Sequence, residues 1–373
     1  MANEDKSTRY HRLRRRISFL DTTAQAVFLL ALVLTGGSSA IRASVQSIAG
    51  TSLVPLVVVY VIVIAALSEV VHLPFAFYHG VVLERRYGLS TESTARWLRD
   101  HLKAVALVLI VLAGAGVLVT ALLRAAPAQW WLIASIIFVA GLVLLARFAP
   151  VLLLPRFYDI RPLARDGLRE RLVALADKAG TPVLGAYEWR VGDRTTKANA
   201  ALVGIGRTRR ILVSDTLLAV HSDDEVETVF AHELAHHVYG DIWSALALEA
   251  ALLTLGCYVA DQVLSRFALA IGLDGKVDVA GLPLILLTGG LVSLVFAPVA
   301  YALSRAHERR ADRYALDTTQ NSTAFISAMK RLAATNLAED RPSRLVEVLF
   351  HTHPSTAARI EAARTWASQQ VAG

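Results

Sequence analysis

Two histidines one helical turn apart are the residues of this sequence with the clearest potential for chemistry, in the run HELAH at 232–236. In a helix, His232 and His236 lie on one face, where their imidazoles suit two vertices of a tetrahedral zinc site. Glu233 lies beside that face and can take a proton from a hydrolytic water, so the run predicts metal-assisted hydrolysis. Two other interpretations stay open: surface histidines on an ordinary helix, and a two-histidine haem site, although haem needs no adjacent glutamate.

A third metal ligand is expected elsewhere in the chain, because catalytic zinc usually has three protein ligands and one open position. The best candidate is Glu308, in the segment SRAHERRAD at 304–312, which begins where the last long apolar run ends. Asp312 follows one turn later and is placed to accept a hydrogen bond from a ligand histidine. The alternative for Glu308 is an exposed helix carboxylate among arginines. Asp241, just past Gly240, is either a partner of a ligand histidine or a helix end, and we favour the helix end.

Long apolar runs dominate the elements that must position these residues. Of the 373 residues, 55% are apolar and 18% are charged, and the mean hydropathy is +0.48. Because a helix needs about 20 mostly apolar residues to cross a bilayer, we predict a mainly α, polytopic membrane helical bundle. Its six spans lie at about 18–37, 52–79, 104–123, 129–153, 244–264 and 282–303. The composition excludes a disordered chain, and the single cysteine, Cys257, excludes a disulfide scaffold.

The distribution of lysine and arginine predicts the orientation of the chain. Residues 1–16 carry six of them and 80–103 carry five, whereas 38–51 and 124–128 carry one each and 265–281 carries two. Basic loops favour the cytoplasmic side, so both termini and the zinc site are expected in the cytoplasm. The Ala-, Leu- and Arg-rich composition indicates a bacterial cell (inner) membrane. The net charge of +7 then reflects topology and contact with the lipid bilayer, and no nucleic-acid partner is expected.

The same pattern divides the chain into five segments. We predict a cytoplasmic basic N-terminus at 1–17, an N-terminal membrane region with four spans at 18–154, a catalytic region at 155–243, a two-span membrane hairpin at 244–303 and C-terminal catalytic helices at 304–373. Within the catalytic region we expect a helix at 161–180, strands within 183–213 and a second helix. Ser222 and Glu225 form a capping box at the start of that second helix.

These motifs together resemble a known family. HELAH, followed one helical hairpin later by SRAHERRADRYA, is similar to the zinc motifs of integral-membrane metallopeptidases of the CAAX prenyl endopeptidase type. The segments LPFAFYHGVVLERRYGLSTES at 73–93, KANAALVGIGRTRRILVSDTLL at 197–218 and HPSTAARI at 353–360 also resemble that family in order. The resemblance extends from about residue 50 to 365. It departs in span number, because the eukaryotic members have seven spans and this sequence has six predicted spans.

The resemblance implies a function and further site residues. It implies a membrane-embedded endopeptidase with a cytoplasmic α+β zinc metallopeptidase domain and one zinc per chain. Its substrates would be membrane-associated or C-terminally modified, CAAX-like peptides or proteins. The family's His-Pro…Arg signature selects His353 and Arg359 to complete the active site by stabilising the oxyanion of the reaction. By the same resemblance an extended substrate pairs with the strand formed by Asn199, Ala200, Ala201, Leu202 and Val203.

Several alternatives stay open at this point. The chain also resembles heat-shock-type proteases that act on damaged membrane proteins, and these share the zinc motifs. A non-catalytic membrane protein with a structural zinc would need a fourth protein ligand, for which His237 and His353 are available. The segment 199–203 is otherwise an ordinary strand, and Arg359 is otherwise a helix residue paired with Glu361 or lipid phosphate. The ionisable residues inside the apolar runs receive no catalytic role: Glu69, His72, Glu249 and Asp261.

Overall fold

The computed structural model describes residues 5–152, 158–204 and 206–372. Within those ranges six helices are long and apolar enough to cross a membrane, which confirms the mainly α, six-span architecture. The predicted end of the fourth span at 153 and the predicted boundary at 154/155 lie outside the described residues. The other segment boundaries stay predictions.

Helices α1 to α5 form the N-terminal membrane region. They are α1 (Lys6–Leu34), α2 (Gly37–Ala49), α3 (Leu53–Phe77), α4 (Thr94–Ala125) and α5 (Trp130–Leu152). The first helix begins twelve residues before the predicted span, so the basic N-terminal segment is helical and continuous with it. Pro74 lies inside α3, and the chain continues as a π-helical segment, Tyr78–Leu83, and a short turn, Glu84–Arg86. Pro74 lacks a backbone N–H, so it cannot make the helical hydrogen bond to the carbonyl of residue 70.

A four-stranded sheet forms the β part of the catalytic region. Its strands are β1 (Asp159–Pro162), β2 (Ala186–Arg190), β3 (Ala200–Val203) and β4 (Arg210–Ser214), in the order β1-β2-β4-β3. Strand β3 is therefore an edge strand, and it is antiparallel to β4. The helix predicted at 161–180 begins later, as α6 (Asp166–Lys178), because residues 161 and 162 pair with β2. Proline is tolerated at the end of an edge strand.

Three helices carry the chain from the sheet back into the membrane. They are α7 (Asp215–Val220), α8 (Asp223–Val238) and α9 (Asp241–Phe267). The capping box predicted for α8 is present, since Ser222 accepts from the Glu225 N–H and the Glu225 carboxylate accepts from the Ser222 N–H. Gly240 has φ 66° and reverses the chain between α8 and α9. Glycine adopts this left-handed conformation without steric cost.

One continuous helix returns from the membrane into the catalytic region. Helix α10 (Leu282–Thr319) has 38 residues, so the sixth span and the helix predicted at 304 are a single element. It is followed by α11 (Ser322–Asn336), α12 (Arg344–Phe350) and α13 (Thr356–Ala372). The apolar core of the catalytic region is formed by the sheet, α6, α8, the end of α10, α11 and α13. This core fixes α8 against α10, which is the contact that builds the site.

Candidate active site

Helix α8 presents both histidines of the HELAH run to the same space. His232 is buried, and His236 is partly exposed. Their ring centroids lie 5.1 Å apart with the planes nearly perpendicular, at 89°. The capping box fixes the start of this helix, and the buried residues Phe230 and Leu234 hold its other face in the core. The predicted placement of the two imidazoles on one face is therefore present in the structure.

Glu308 of α10 completes a group of three possible metal ligands. Its Oε2 lies 3.2 Å from His232 Nε2, and its Oε1 lies 3.5 Å from His236 Nε2. One ligand atom from each of the three residues lies within 4.8 Å of the others. Glu308 Oε2 is buried and has no hydrogen-bond partner in the described parts of the chain. Two imidazole nitrogens and a buried carboxylate oxygen without a donor fit a zinc ion.

A carboxylate holds the other nitrogen of each histidine. His232 Nδ1 lies 2.9 Å from Asp312 Oδ1, as the spacing within α10 predicts. His236 Nδ1 lies 2.8 Å from Asp241 Oδ2, so the favoured interpretation of Asp241 as a helix end is wrong, and the alternative, a partner of a ligand histidine, is what the structure shows. The reversal at Gly240 turns the first residue of α9 back towards α8. The sequence signal for this contact is a carboxylate that follows a ligand histidine by five residues across a left-handed glycine.

An arginine in turn contacts each of these carboxylates. Arg359 Nε donates to Asp312 Oδ2 at 2.8 Å, and its Nη2 also contacts Asp312 Oδ1. Arg310 contacts Asp241, and its guanidinium lies 4.3 Å from the centroid of the Tyr239 ring. No prediction from the sequence included Arg310. The pattern of histidine, carboxylate and arginine is therefore repeated on both sides of the group.

Arg359 lies on the far side of His232 from the ligand-facing nitrogen. Its Nη2 is 3.3 Å from His232 Nδ1, whereas His232 Nε2 faces Glu308. The oxyanion contact expected for Arg359 would require the opposite side of the ring. The guanidinium instead neutralises Asp312, which itself is buried.

His353 approaches the group from the open side. Its Nε2 lies 3.2 Å from Glu308 Oε1, and its side chain is 60% exposed. The loop that carries it is held by Arg305 of α10, which donates to the carbonyl oxygens of Glu347 at 3.0 Å and His351 at 2.6 Å. Arg305 is buried, so this loop is attached to the same helix that carries Glu308.

Glu233 has neither a hydrogen bond nor an ion pair within the described residues. Burial raises the pKa of its carboxyl group, and the neighbouring His232 and His236 oppose that rise. The surroundings of His232 are anionic. Burial lowers the pKa of the imidazole, but the neighbouring carboxylates of Asp312 and Glu308 outweigh it and raise that pKa to about 9. A partner-free carboxylate next to an anionic cluster suits a general base beside a bound cation.

Helix α8 also contacts the edge strand β3. His237 Nε2 lies 2.7 Å from the carbonyl oxygen of Leu202 in β3, so it donates a hydrogen bond there and does not face the ligand group. Asn199 precedes β3 and its side chain is exposed, while Ala200 and Leu202 are buried. Four of the five residues predicted as a strand, Ala200 to Val203, therefore form β3 beside α8, and Asn199 immediately precedes them.

Comparisons with known proteins agree with this geometry. Residues 162–367 match the profile of peptidase family M48, and residues 2–159 match the profile described as CAAX prenyl protease N-terminal, five membrane helices. Within residues 5–152 the structure has four helices that are long enough to span, together with the shorter α2. The uncharacterized metalloprotease YhfN of Bacillus subtilis is 30% identical over 306 residues, which cover 81% of this chain and 72% of that protein.

Two further relatives come from yeasts. The CAAX prenyl protease 1 of Saccharomyces cerevisiae is 26% identical over 329 residues, which cover 80% of this chain and 70% of that protein. The crystal structure of Ste24p from S. mikatae superposes with a TM-score of 0.86 at 21% identity, over 96% of this chain and 88% of that one. That similarity shows a shared fold. The catalytic-region profile covers more than half of the chain, and the chain therefore belongs to peptidase family M48, as an integral-membrane metalloprotease that hydrolyses peptide bonds.

Proposed function

We propose that this protein is a membrane-embedded endopeptidase that holds one zinc ion per chain through His232, His236 and Glu308. The observation that carries the proposal is the convergence of their ligand atoms within 4.8 Å around a buried carboxylate oxygen that has no hydrogen-bond donor among the described residues. Glu233 lies on the same helix with an unpartnered carboxylate. Of the two candidates for the fourth ligand of a closed structural site, His237 is engaged by Leu202, whereas His353 contacts Glu308 from the open side with a side chain that is 60% exposed.

Each residue then has a defined task. When bound, zinc would lower the pKa of the attacking water towards neutral and polarise the scissile carbonyl. Glu233 accepts the proton of the attacking water and returns it to the leaving amine. His353 is exposed on the open side, where its imidazole can donate to the oxyanion of the reaction.

Arg359 is assigned a positioning role in place of the oxyanion contact expected from the sequence. It contacts Asp312 through two nitrogens, and Asp312 fixes the orientation of His232. A carboxylate that accepts from the other ring nitrogen selects the tautomer in which Nε2 is free for a metal. Asp241 does the same for His236. These two carboxylates therefore determine which nitrogen of each histidine faces the metal.

The substrates proposed are membrane-associated peptides or proteins with a CAAX-like C-terminus. The support is the similarity to CAAX prenyl protease 1 of yeast along most of both chains. The edge position of β3 next to α8 supports pairing of an extended peptide with the segment Asn199, Ala200, Ala201, Leu202 and Val203.

We further propose that both termini and the metal site face the cytoplasm of a bacterial cell, with the chain in its inner membrane. The support is the excess of lysine and arginine at 1–16 and 80–103 over the intervening loops. A cysteine introduced at Asp193, which is exposed, should be protected from an impermeant thiol reagent in intact cells and labelled after lysis. Labelling in intact cells would contradict this orientation.

The decisive experiment separates metal binding from proton transfer. Purified Glu233→Gln protein should keep about one zinc per chain, and its turnover of a peptide should fall by about a hundredfold or more, because the base is not a ligand. His236→Ala and Glu308→Ala should lose both metal and turnover. Glu170→Gln, a change at an exposed position of α6, is the matched control and should alter neither. Near-normal turnover of Glu233→Gln would overturn the mechanism.

A further inference from the structure

The free edge of β3 offers few backbone groups to an incoming peptide. The Ser214 N–H donates to the Asn199 carbonyl at 2.9 Å, so the backbone groups of Asn199 face β4. Along an antiparallel strand, alternate residues direct their N–H and C=O groups to opposite sides. Ala198, Ala200 and Leu202 therefore direct theirs away from β4, to the side where a substrate strand would bind.

Asn336 already occupies the first of these three positions. Its side-chain Oδ1 accepts from the Ala198 N–H at 2.9 Å, and its Nδ2 donates to the Ala198 carbonyl at 3.0 Å. An amide side chain that makes both bonds to one residue reproduces the hydrogen-bonded pair of an antiparallel strand. A peptide backbone cannot bind at Ala198 while this side chain is in place.

His237 occupies part of the position at the other end. Its Nε2 donates to the Leu202 carbonyl at 2.7 Å, which places an imidazole ring against the edge there. Of the three outward-facing residues, the structure as described leaves the N–H and C=O of Ala200 and the N–H of Leu202 without a partner. The unpaired part of the edge is thus one complete backbone pair and one additional donor, on residues that are only 5% (Ala200) and 7% (Leu202) exposed before a peptide binds.

The position of Asn336 is itself fixed by the N-terminal helix. Asn336 is the last residue of α11, and Leu337 follows in a left-handed conformation with φ 50°. The Leu337 carbonyl lies 2.8 Å from His11 Nε2 of α1, and the Leu337 side chain packs on the small cluster that contains buried Tyr10 and Leu83. A leucine in this conformation is strained by about 1 kcal/mol or more, so it needs such support.

We propose that Asn336 and His237 limit strand pairing to a short extended segment of substrate, about three residues long, centred opposite Ala200. This deepens the proposed function, on which it rests. Three residues of strand span about 10 Å, so a peptide needs only a short extended stretch to be held at the site. Chain ends and short exposed segments meet that requirement, whereas binding of a long preformed strand is excluded at Ala198.

The first test uses the unaltered protein and a cleavable peptide in which single backbone nitrogens are methylated, the scissile amide excepted. Methylation of the one residue that donates to the Ala200 carbonyl should lower kcat/KM by about tenfold or more, the effect of one lost hydrogen bond. Methylation two residues to either side should change it by less than about threefold. Two sensitive positions two residues apart would show a longer ladder and overturn the proposal. Failure to cleave any peptide would instead count against the proposed function.

The second test removes the Asn336 side chain from the backbone of Ala198. Asn336→Ala should raise the kcat/KM ratio of ten-residue to five-residue peptides by about tenfold over the unaltered protein, because Ala198 gains a free pair. Thr335→Ala, a change in the same helical turn, is the matched control and should leave the ratio unchanged. Metal content and thermal unfolding confirm that each variant is folded. An unchanged ratio in folded, metal-loaded Asn336→Ala would overturn the proposal. If that variant does not fold, the methylation series still decides.

Discussion

His232 and His236 of α8 are each supported by a carboxylate and an arginine, but in two different settings. The arrangement around His232 is buried, with side-chain exposures of 8% for the histidine, 7% for Asp312 and 14% for Arg359. Around His236 the carboxylate is also buried, at 7%, but the histidine is 25% exposed and Arg310 is 43% exposed. We refer to these two His-Asp-Arg chains of contacts, His232-Asp312-Arg359 and His236-Asp241-Arg310, as the buried chain and the exposed chain.

The two chains should differ in how much stability is lost when one of their members is removed. In the buried chain, a charge that loses its partner stays in the protein interior, where an unpaired charge is strongly unfavourable. In the exposed chain, water can solvate the arginine that remains. The buried chain should therefore affect both folding and metal binding, whereas the exposed chain should affect mainly metal binding.

The largest effect is expected from Asp312→Ala. Loss of this carboxylate releases the orientation of His232 and should lower metal affinity by about 10- to 100-fold. It also leaves Arg359 buried without its partner, so the free energy of unfolding should fall by about 3–5 kcal/mol. Metal titration and thermal unfolding in detergent measure the two effects. The double variant Asp312→Ala/Arg359→Met should recover much of the stability but none of the metal affinity. If the double variant is no more stable than the single, the buried-charge explanation fails.

A smaller effect is expected from Arg359→Met, because Asp312 still contacts His232 in that variant. Metal affinity should fall by about tenfold, since the carboxylate is no longer fixed from its other side. Arg359→Lys should be intermediate, because lysine keeps the charge but cannot form the two-nitrogen contact. A lysine variant as impaired as the methionine variant would show that geometry alone matters, and one that matches the unaltered protein would show that only charge does.

Asp241→Ala tests the exposed chain directly. Metal affinity should fall by about tenfold, because the Nδ1 atom of His236 loses its acceptor. The free energy of unfolding should change by only about 1 kcal/mol, since Arg310 is left in contact with water. The same metal titration and unfolding measurements apply. A loss of stability as large as that of Asp312→Ala would remove the distinction between the two chains.

The smallest effect is expected from Arg310→Ala. Asp241 would keep its contact with His236, and His307 Nε2 lies 3.8 Å from the same carboxylate. Metal affinity should stay within about threefold of the unaltered protein, the range of an exposed ion pair. An effect equal to that of Asp241→Ala would show that the arginine, and not the carboxylate alone, orients His236.

The sequence predicts the buried chain and offers the carboxylate of the exposed chain only as the less favoured alternative, for a physical reason. Asp312 lies one turn from Glu308 on the same helix, so helical spacing alone places it near a ligand. Asp241 belongs to the next helix, and its direction depends on the backbone reversal at Gly240, which spacing within a helix does not describe. The direction of Arg359 depends on how α13 packs on α10, a tertiary contact with no local signal.

The fold likewise divides into features that local composition predicts and features that depend on tertiary contacts. Apolar composition identifies all six spans, because transfer from water to lipid depends on side-chain chemistry and not on neighbours. It does not reveal that α1 and α10 continue beyond the bilayer, since a helix can change its surroundings without changing its backbone. It also misses β1, whose four residues pair with a strand more than twenty residues away and whose burial pattern is mostly exposed.

Because α10 is one continuous helix, it links the bilayer mechanically to Glu308, the third ligand. From Leu282 to Glu308 the helix rises about 39 Å. If it were rigid, a tilt of about 4° at its membrane end would move Glu308 by about 2.7 Å. Pro298 lies inside it and lacks a backbone N–H, so bending occurs there most readily. Bending at Pro298 would let the half of α10 before it tilt with a thinner or thicker bilayer. The half after it, held by the contacts of Arg305 and Asp312, would keep its position against α8.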